Sequence, residues 1–327
     1  MNKDSKKYKN GLKAFIIIVC IVVVGTLCLI FGKNGPLSIF DSGDYATNKS
    51  AGIKKGYISV LNVEGTIQPK GDYYNQKWIT SNIYKFKNDP KNKAIILYID
   101  SPGGTVYESD ETFLALQDYK SSGKKVFAYM GSIAASGGYY IACAADEIYA
   151  NRNTLTGSIG VISGSFLDLS EFLEDKGIHY ETVHAGKNKN MGNYNEPVSD
   201  EQRAIMQSVA DECYEQFTSI VSKSRDIEMD TLLPLCDGRI YTAKQALECG
   251  LIDGIFSWSD FIEELFSEYP EFEKCSLKKF SYEREKGFFE SLMNSRVSKN
   301  QTDTIEGVPQ AVWEEMNLKG PLFLYKR

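Results

Sequence analysis

Between residues 57 and 253 short aliphatic runs keep alternating with longer stretches of helical character, and no other feature narrows the fold as much. Strands are expected over 57–63, 93–99, 125–130, 147–149, 160–162 and 180–183, and helices over 75–86, 106–119, 139–145, 169–176, 200–222 and 242–249. Such alternation predicts an α/β fold with largely parallel strand pairing. No internal repeat of fixed period is present. With 327 residues and 43% hydrophobic content the chain can bury a sizeable core.

The run from Ala14 to Phe31 contains no charge. Eighteen helical residues would span about 27 Å, close to a hydrocarbon core of about 30 Å. Lys13 and Lys33 bracket the run, and Lys3, Lys6, Lys7 and Lys9 precede it against a single Asp4. The expectation is a single-pass anchor in the cell membrane. By the positive-inside rule the N-terminus is cytoplasmic and the rest of the chain extracytoplasmic. A cleaved signal peptide is the competing reading. Against it, the run exceeds the usual ~7–15-residue apolar region and no small-x-small site follows directly. The residues before Cys20 and Cys28 do not form a lipobox. The organisation expected is a basic segment over 1–13, the anchor over 14–31 and a polar linker over 32–55. A folded body over 56–298 follows, then a tail or docked segment over 299–327.

Bulk chemistry removes several function classes. A net charge of −6 argues against nucleic acid as a partner. The seven cysteines are widely spaced, form no C-x-x-C pair, and have only two histidines to join them, so neither a metal site nor a disulfide framework is expected. No phosphate loop of the G-x-x-x-x-G-K-[ST] type occurs. No cofactor is therefore expected.

Four short segments can carry chemistry. Ser136 lies between the run Lys125–Met130 and a helix, flanked by small residues that leave its hydroxyl approachable. A strand-to-helix turn aims such an oxygen outward, beside backbone N–H groups. Ser101-Pro102-Gly103-Gly104 follows an apolar strand and can direct a backbone N–H at a developing oxyanion, with Gly137 as a second donor. Thr156-Gly157-Ser158 is a third small-residue turn, and Lys187 and Lys189 lie in a fourth. An ordinary lysine, with a pKa of ~10.4, is protonated at neutral pH and acts as a base only when its surroundings depress that value. Taken singly, each segment has a plainer explanation: an ordinary turn, a helix N-cap, a serine bonding its own backbone, a solvated lysine pair.

Their order and spacing together closely resemble the signal peptide peptidase A family of Ser-Lys proteases. The resemblance rests on Asp100-Ser101-Pro102-Gly103-Gly104, Ala135-Ser136-Gly137-Gly138-Tyr139-Tyr140, Thr156-Gly157-Ser158-Ile159-Gly160, Gly186-Lys187-Asn188-Lys189, Gly238-Arg239-Ile240-Tyr241-Thr242 and Gly250-Leu251-Ile252-Asp253. It implies Ser136 as nucleophile, Lys189 as general base, Ser158 as the serine that positions that lysine, and Gly103 and Gly137 as oxyanion donors. It also implies the spiral β-β-α superhelix shared with crotonases and caseinolytic proteases, and a ring-shaped homo-oligomer with sites shared between subunits. The implied substrates are signal-peptide remnants and other short peptides. One departure is Asn190, where the family commonly has an acidic residue.

Other readings stay open at this level. A crotonase-like acyl-CoA enzyme would share the fold and the Gly-Gly turn but has no need of Ser136, Lys189 or an anchor. A protease-like scaffold without activity is a second. A Ser-His-Asp site using His184 is a third, although no histidine occurs one helix after Ser136.

Overall fold

The computed structural model describes residues 56–284 and, as backbone only, a strand at Leu322–Leu324. The chain divides into two compact units, Met1–Ala46 and Thr47–Arg327. The first lies outside the described residues, and so do the apolar run at 14–31 and the linker. Among the described residues no helix is long and apolar enough to cross a membrane.

The second unit is built on an eight-stranded sheet. Strands β1 (Gly56–Glu64), β2 (Asn92–Ser101) and β4 (Lys125–Ala135) form its centre, with β9 (Cys275–Phe280) outside β1. All four run parallel. β1 and β2 are buried along nearly their whole length, as expected of parallel strands covered on both faces. Successive side chains divide between two cores with the period of two that a pleated strand imposes. Leu61, Val63, Ile95, Leu97, Val126 and Ala128 enter the larger core, with helices α1 (Gln76–Asn88) and α2 (Val106–Lys120) on the same side of the chain's folding. Ile58, Val60, Ala94, Ile96, Phe127 and Tyr129 enter the smaller one and pack against Phe261, Ile262 and Leu265 of the amphipathic Trp258–Glu268 helix.

The long β4 changes partners along its length. Its first half pairs with β5 (Glu147–Ala150), and its last residues, Ile133–Ala135, pair with β6 (Leu155–Gly157). The strand therefore carries its C-terminal end, and Ser136 after it, out of the main layer toward β6. Helix ends are closed by side chains that the sequence supplies at the right spacing. Asn75 accepts from Trp78 N at 3.0 Å, and Ser199/Gln202 and Thr242/Gln245 form capping boxes. Asp253, in the last of the motif segments, has a structural role. It takes both arms of the Arg225 guanidinium, at 2.9 and 2.6 Å, and accepts the Ile148 N–H at 2.7 Å.

Two expected strands are absent. Residues 160–162 and 180–183 lie in a largely exposed stretch, 160–199, whose one regular element is the short helix Ser170–Asp175. A strand needs a neighbour to take its N–H and C=O groups. Ile162 makes an isolated bridge, and among the described residues no segment forms a ladder with either run.

Candidate active site

Ser136 occupies the turn between β4 and helix α3 (Gly137–Ala142) with φ 53° and ψ −118°. A non-glycine residue in this region is strained, and such strain persists only where surrounding structure over-determines it. Here the backbone is held on both sides: Ser136 N donates to Gly157 O at 2.8 Å, and Ser136 O accepts Tyr140 N at 2.9 Å. The residue stands at the N-cap position yet makes no side-chain cap hydrogen bond. Its Oγ is buried and has no hydrogen-bond partner among the described residues. The plain N-cap explanation therefore fails, because a capping serine spends its oxygen on the helix. An orphaned buried hydroxyl on a strained turn is what an attacking group requires.

The Gly-Gly turn arrives at the same place. β3 (Gly103–Thr105) packs against the start of α3 so closely that a Cβ on Gly137 would lie 3.4 Å from Gly103 Cα, 3.2 Å from Gly104 N and 2.5 Å from Ser109 Oγ. Gly103 has φ 105°, available to glycine without strain. Its N–H donates to Ser101 Oγ at 3.1 Å, and Ser101 Oγ in turn donates to Gly65 O at 2.6 Å. Gly104 faces Ile67 so tightly that a Cβ would meet Ile67 O at 1.8 Å. Gly103 and Gly137 are thus brought together with Ser136. Gly104 joins them and was missed as a site residue, although the doubled glycine was the signal for it. Ser101, part of the motif but given no role there, and Ser109, which carried no signal in the sequence, hold the turn.

The outer edge of β3 is occupied. Leu322–Leu324 pairs with it antiparallel, Leu324 opposite Gly103 and Phe323 opposite Gly104, and also lies against α3. An extended segment therefore lies beside the Ser136 turn on strand-to-strand hydrogen bonds.

Ser158 immediately follows the Gly157 whose carbonyl holds Ser136. It too has positive φ, 50°, and its N donates to Arg239 O at 2.8 Å. It opens onto a cavity of about 450 Å³ together with Gln207, Asp211, Tyr214 and Asp237. Two charges at this mouth are paired with each other: Arg239 beside Asp237 holds that carboxyl at about 2, well below the usual range. Burial pushes the neighbouring Cys236 thiol up to about 12.

Lys189 is not brought to this cluster by its own chain. It is exposed, in a turn closed by its N–H to Gly186 O at 3.0 Å, and Ser136 Oγ has no partner at hydrogen-bond range. Lys187 is committed to Glu201, while no described residue forms an ion pair with Lys189. Asn190 donates to Glu196 Oε1 at 2.7 Å, so a carboxylate is present beside the lysine turn, six residues further on. Both histidines are exposed, and His184 Nδ1 lies 3.1 Å from Gly186 O. Neither reaches Ser136.

Residues 118–269, which include both Ser136 and Lys189, match Peptidase family S49. This stretch is a peptidase family S49 domain. A relative in Enterococcus faecium that carries the name signal peptide peptidase SppA is 34% identical over 66% of this chain and 65% of its own length. Protease 4 of Haemophilus influenzae is 28% identical over 90% of this chain and 49% of that protein. The chloroplastic serine protease SPPA of Arabidopsis thaliana is 34% identical over 60% and 29% respectively. The chain thus spans less than two thirds of the length of each of these relatives. Among solved structures, a ClpP1 mutant from Listeria monocytogenes superposes with a TM-score of 0.43 at 16% identity, over 62% of this chain and 92% of that one.

Proposed function

We propose that this chain is a membrane-anchored serine endopeptidase that cuts signal-peptide remnants and other short peptides through an acyl-enzyme. The observation that carries this reading is the buried, unpartnered Ser136 Oγ on a backbone turn of φ 53°. In the proposed cycle the neutral amine of Lys189 takes the Ser136 proton as Oγ attacks the peptide carbonyl carbon. The oxyanion is met by N–H groups of Gly137 and the Gly103–Gly104 turn. The lysine ammonium then gives its proton to the leaving amine as the C–N bond breaks. Water, deprotonated by the same lysine, releases the acid and restores the serine.

The substrate enters in this reading as an extended strand along β3, where main-chain hydrogen bonds hold any sequence and pockets select side chains. The pairing of Leu322–Leu324 on that edge supports it, because a peptide of apolar residues already lies there. The name of the Enterococcus relative supports signal peptides as the substrate class. The apolar run at 14–31 would hold the body at the membrane surface where such remnants arise.

Lys189 is supplied by a neighbouring copy in this proposal, within a closed ring built on the spiral superhelix. The exposed, unpaired state of Lys189 in a stretch that forms almost no core of its own supports a shared site. So does Asp211 at the mouth beside Ser158, a carboxylate with no ion pair to a described residue, which can face an incoming cation.

The deciding experiment is hydrolysis of a fluorogenic apolar peptide by the full chain beside Ser136→Ala and Lys189→Ala. Each variant is expected to lose at least about 10³-fold in kcat/KM. Mixing the two inactive proteins is expected to restore part of the activity, since some seams then join an intact serine to an intact lysine. Full activity in Lys189→Ala refutes the dyad, and failure of any mixture to recover activity refutes the shared site.

A further inference from the structure

At the opposite end of the sheet from Ser136 lies a cluster of lysines that the peptidase reading does not use. β1, β2, β4 and β9 are parallel and all begin at this end, with Gly56 opposite Cys275, Tyr57 opposite Asn92 and Ala94 opposite Lys125. The residues at these strand starts surround a cavity of about 480 Å³. Lys93, Lys124, Lys125 and Lys274 line it, against one carboxylate, Glu271. This local excess is opposite in sign to the chain as a whole, which has 37 basic and 43 acidic residues.

The partners of these lysines show which charges are available. Lys124 Nζ donates to the carbonyls of Phe86, Lys87 and Asp89 at 2.7, 3.0 and 2.9 Å, so its three protons are used and it contributes charge alone. Lys93 donates once, to Pro90 O at 2.8 Å. Lys125 lies over the Tyr269 ring at 5.2 Å. Lys274 is exposed. None of the four forms an ion pair with a described carboxylate. The nearby Asp89 is turned toward Tyr57 OH, at 2.7 Å, and the Lys91 N–H. Lys93, Lys125 and Lys274 therefore keep donors free for an anion.

The path of the chain says which anion. Gly56 is where the polypeptide enters the sheet after residues 32–55, and a Cβ there would lie 3.1 Å from Lys93 Cγ. The segment that follows the apolar run thus arrives on the lysine-lined face. β4 runs from Lys125 to Ala135, which at about 3.3 Å per residue puts this face roughly 30 Å from the Ser136 turn.

We propose that this face is a docking surface for anionic phospholipid headgroups, with Lys93, Lys125 and Lys274 donating to lipid phosphate while the catalytic end stays clear of the bilayer. The choice of a lipid rather than another polyanion rests on the membrane-anchored reading above; the anion-binding face does not.

The test uses the full chain reconstituted into vesicles of phosphatidylcholine alone or of phosphatidylcholine mixed with phosphatidylglycerol. Amine labelling is read by mass spectrometry at Lys93, Lys125 and Lys274, with the exposed Lys244 as internal control. On the anionic vesicles labelling of the three is expected to fall about fivefold each, matching the usual attraction of a lysine to an anionic surface. Lys244 is expected to be unchanged, and high salt to reverse the protection. In the double variant Lys93→Gln/Lys274→Gln, protection of Lys125 is expected to vanish with peptidase activity retained. Equal labelling on both vesicle types overturns the proposal, and so does equal protection by inorganic phosphate in detergent, which would make this a small-anion site. Failure of the chain to float with neutral vesicles tells against the anchor, while the labelling contrast in the same samples still decides the face.

Discussion

The two halves of the proposed dyad lie in regions built on opposite terms. Ser136 is at the end of a strand buried nearly throughout, its backbone pinned by Gly157 and Tyr140 and its neighbours packed too closely for a Cβ. Lys189 is in a stretch, 160–199, with one helix of six residues and few buried positions. Packing of the single chain creates the strain and the orphaned hydroxyl of the first. It supplies almost nothing to the second, whose turn is closed by local hydrogen bonds. A nucleophile needs a rigid setting to hold a strained backbone. A base delivered across a subunit seam needs a segment that the monomer has not already buried.

The contrast can be broken at its packed end most strongly. Gly104→Ala would push a Cβ into the Ile67 backbone, an overlap relieved only if β3 moves. A loss of roughly 3 kcal/mol or more is expected in urea unfolding, with activity abolished. A small change in the midpoint would mean that the turn is far looser than its contacts imply.

A pair of substitutions then sets the two regions against each other. Ser136→Gly relieves a positive φ and is expected to raise stability by about 1 kcal/mol while abolishing peptide hydrolysis. Lys189→Ala abolishes hydrolysis too, but as an exposed side chain its effect on stability is expected to stay within ~0.5 kcal/mol. Equal and large destabilisation by both would end the comparison.

Removal of residues 321–327 sharpens it at the groove. The edge of β3 accepts one strand at a time, and Leu322–Leu324 occupies it. The shortened chain is expected to show a severalfold higher kcat/KM on short peptides with kcat little changed. An unchanged KM would mean that substrate does not use this edge.

The smallest effect concerns thiols, all of which lie outside the 160–199 stretch. Burial pushes the Cys143 and Cys236 thiols up to about 12. A thiol that titrates higher in the folded state than its unfolded value of ~8.5 adds stability that is complete below that value and disappears as pH rises toward the folded one. Urea midpoints are therefore expected to decline from about pH 9 to pH 12. At pH 8 iodoacetamide should modify the half-buried Cys213, Cys249 and Cys275 well before Cys143 and Cys236. Early labelling of Cys236 would show that the cavity beside Ser158 opens in the monomer.

Much of this architecture could be read from residue order. The helices expected over 75–86, 106–119 and 200–222 and the strands over 57–63, 93–99 and 147–149 are present to within a few residues. Their signals are local: apolar period, capping residues, turn glycines. Pairing that depends on a distant partner was illegible. β6, β7 (Ile240–Thr242) and β8 (Gly254–Ile255) have two or three residues each and exist because β4, β6 and β5, in that order, offer them an edge. The runs at 160–162 and 180–183 have strand composition but, apart from a single bridge at Ile162, meet no strand edge among the described residues. The site divides the same way. Ser136, Ser158 and the doubled glycine declare themselves as small residues at turns, whereas Ser101 and Ser109 matter through contacts with residues far along the chain.

Residue order was enough for the α/β class, for the turn at Ser136 and for the glycines that lie near it, because each depends on short-range sterics and spacing. Folding in space determined that Gly103's N–H is taken by Ser101, that Gly104 lies against the Ser136 turn, and that Lys189 does not reach Ser136 Oγ within its own chain. Those outcomes depend on which surfaces meet across the sheet, and the free energy of such contacts belongs to pairs of residues that no local pattern links.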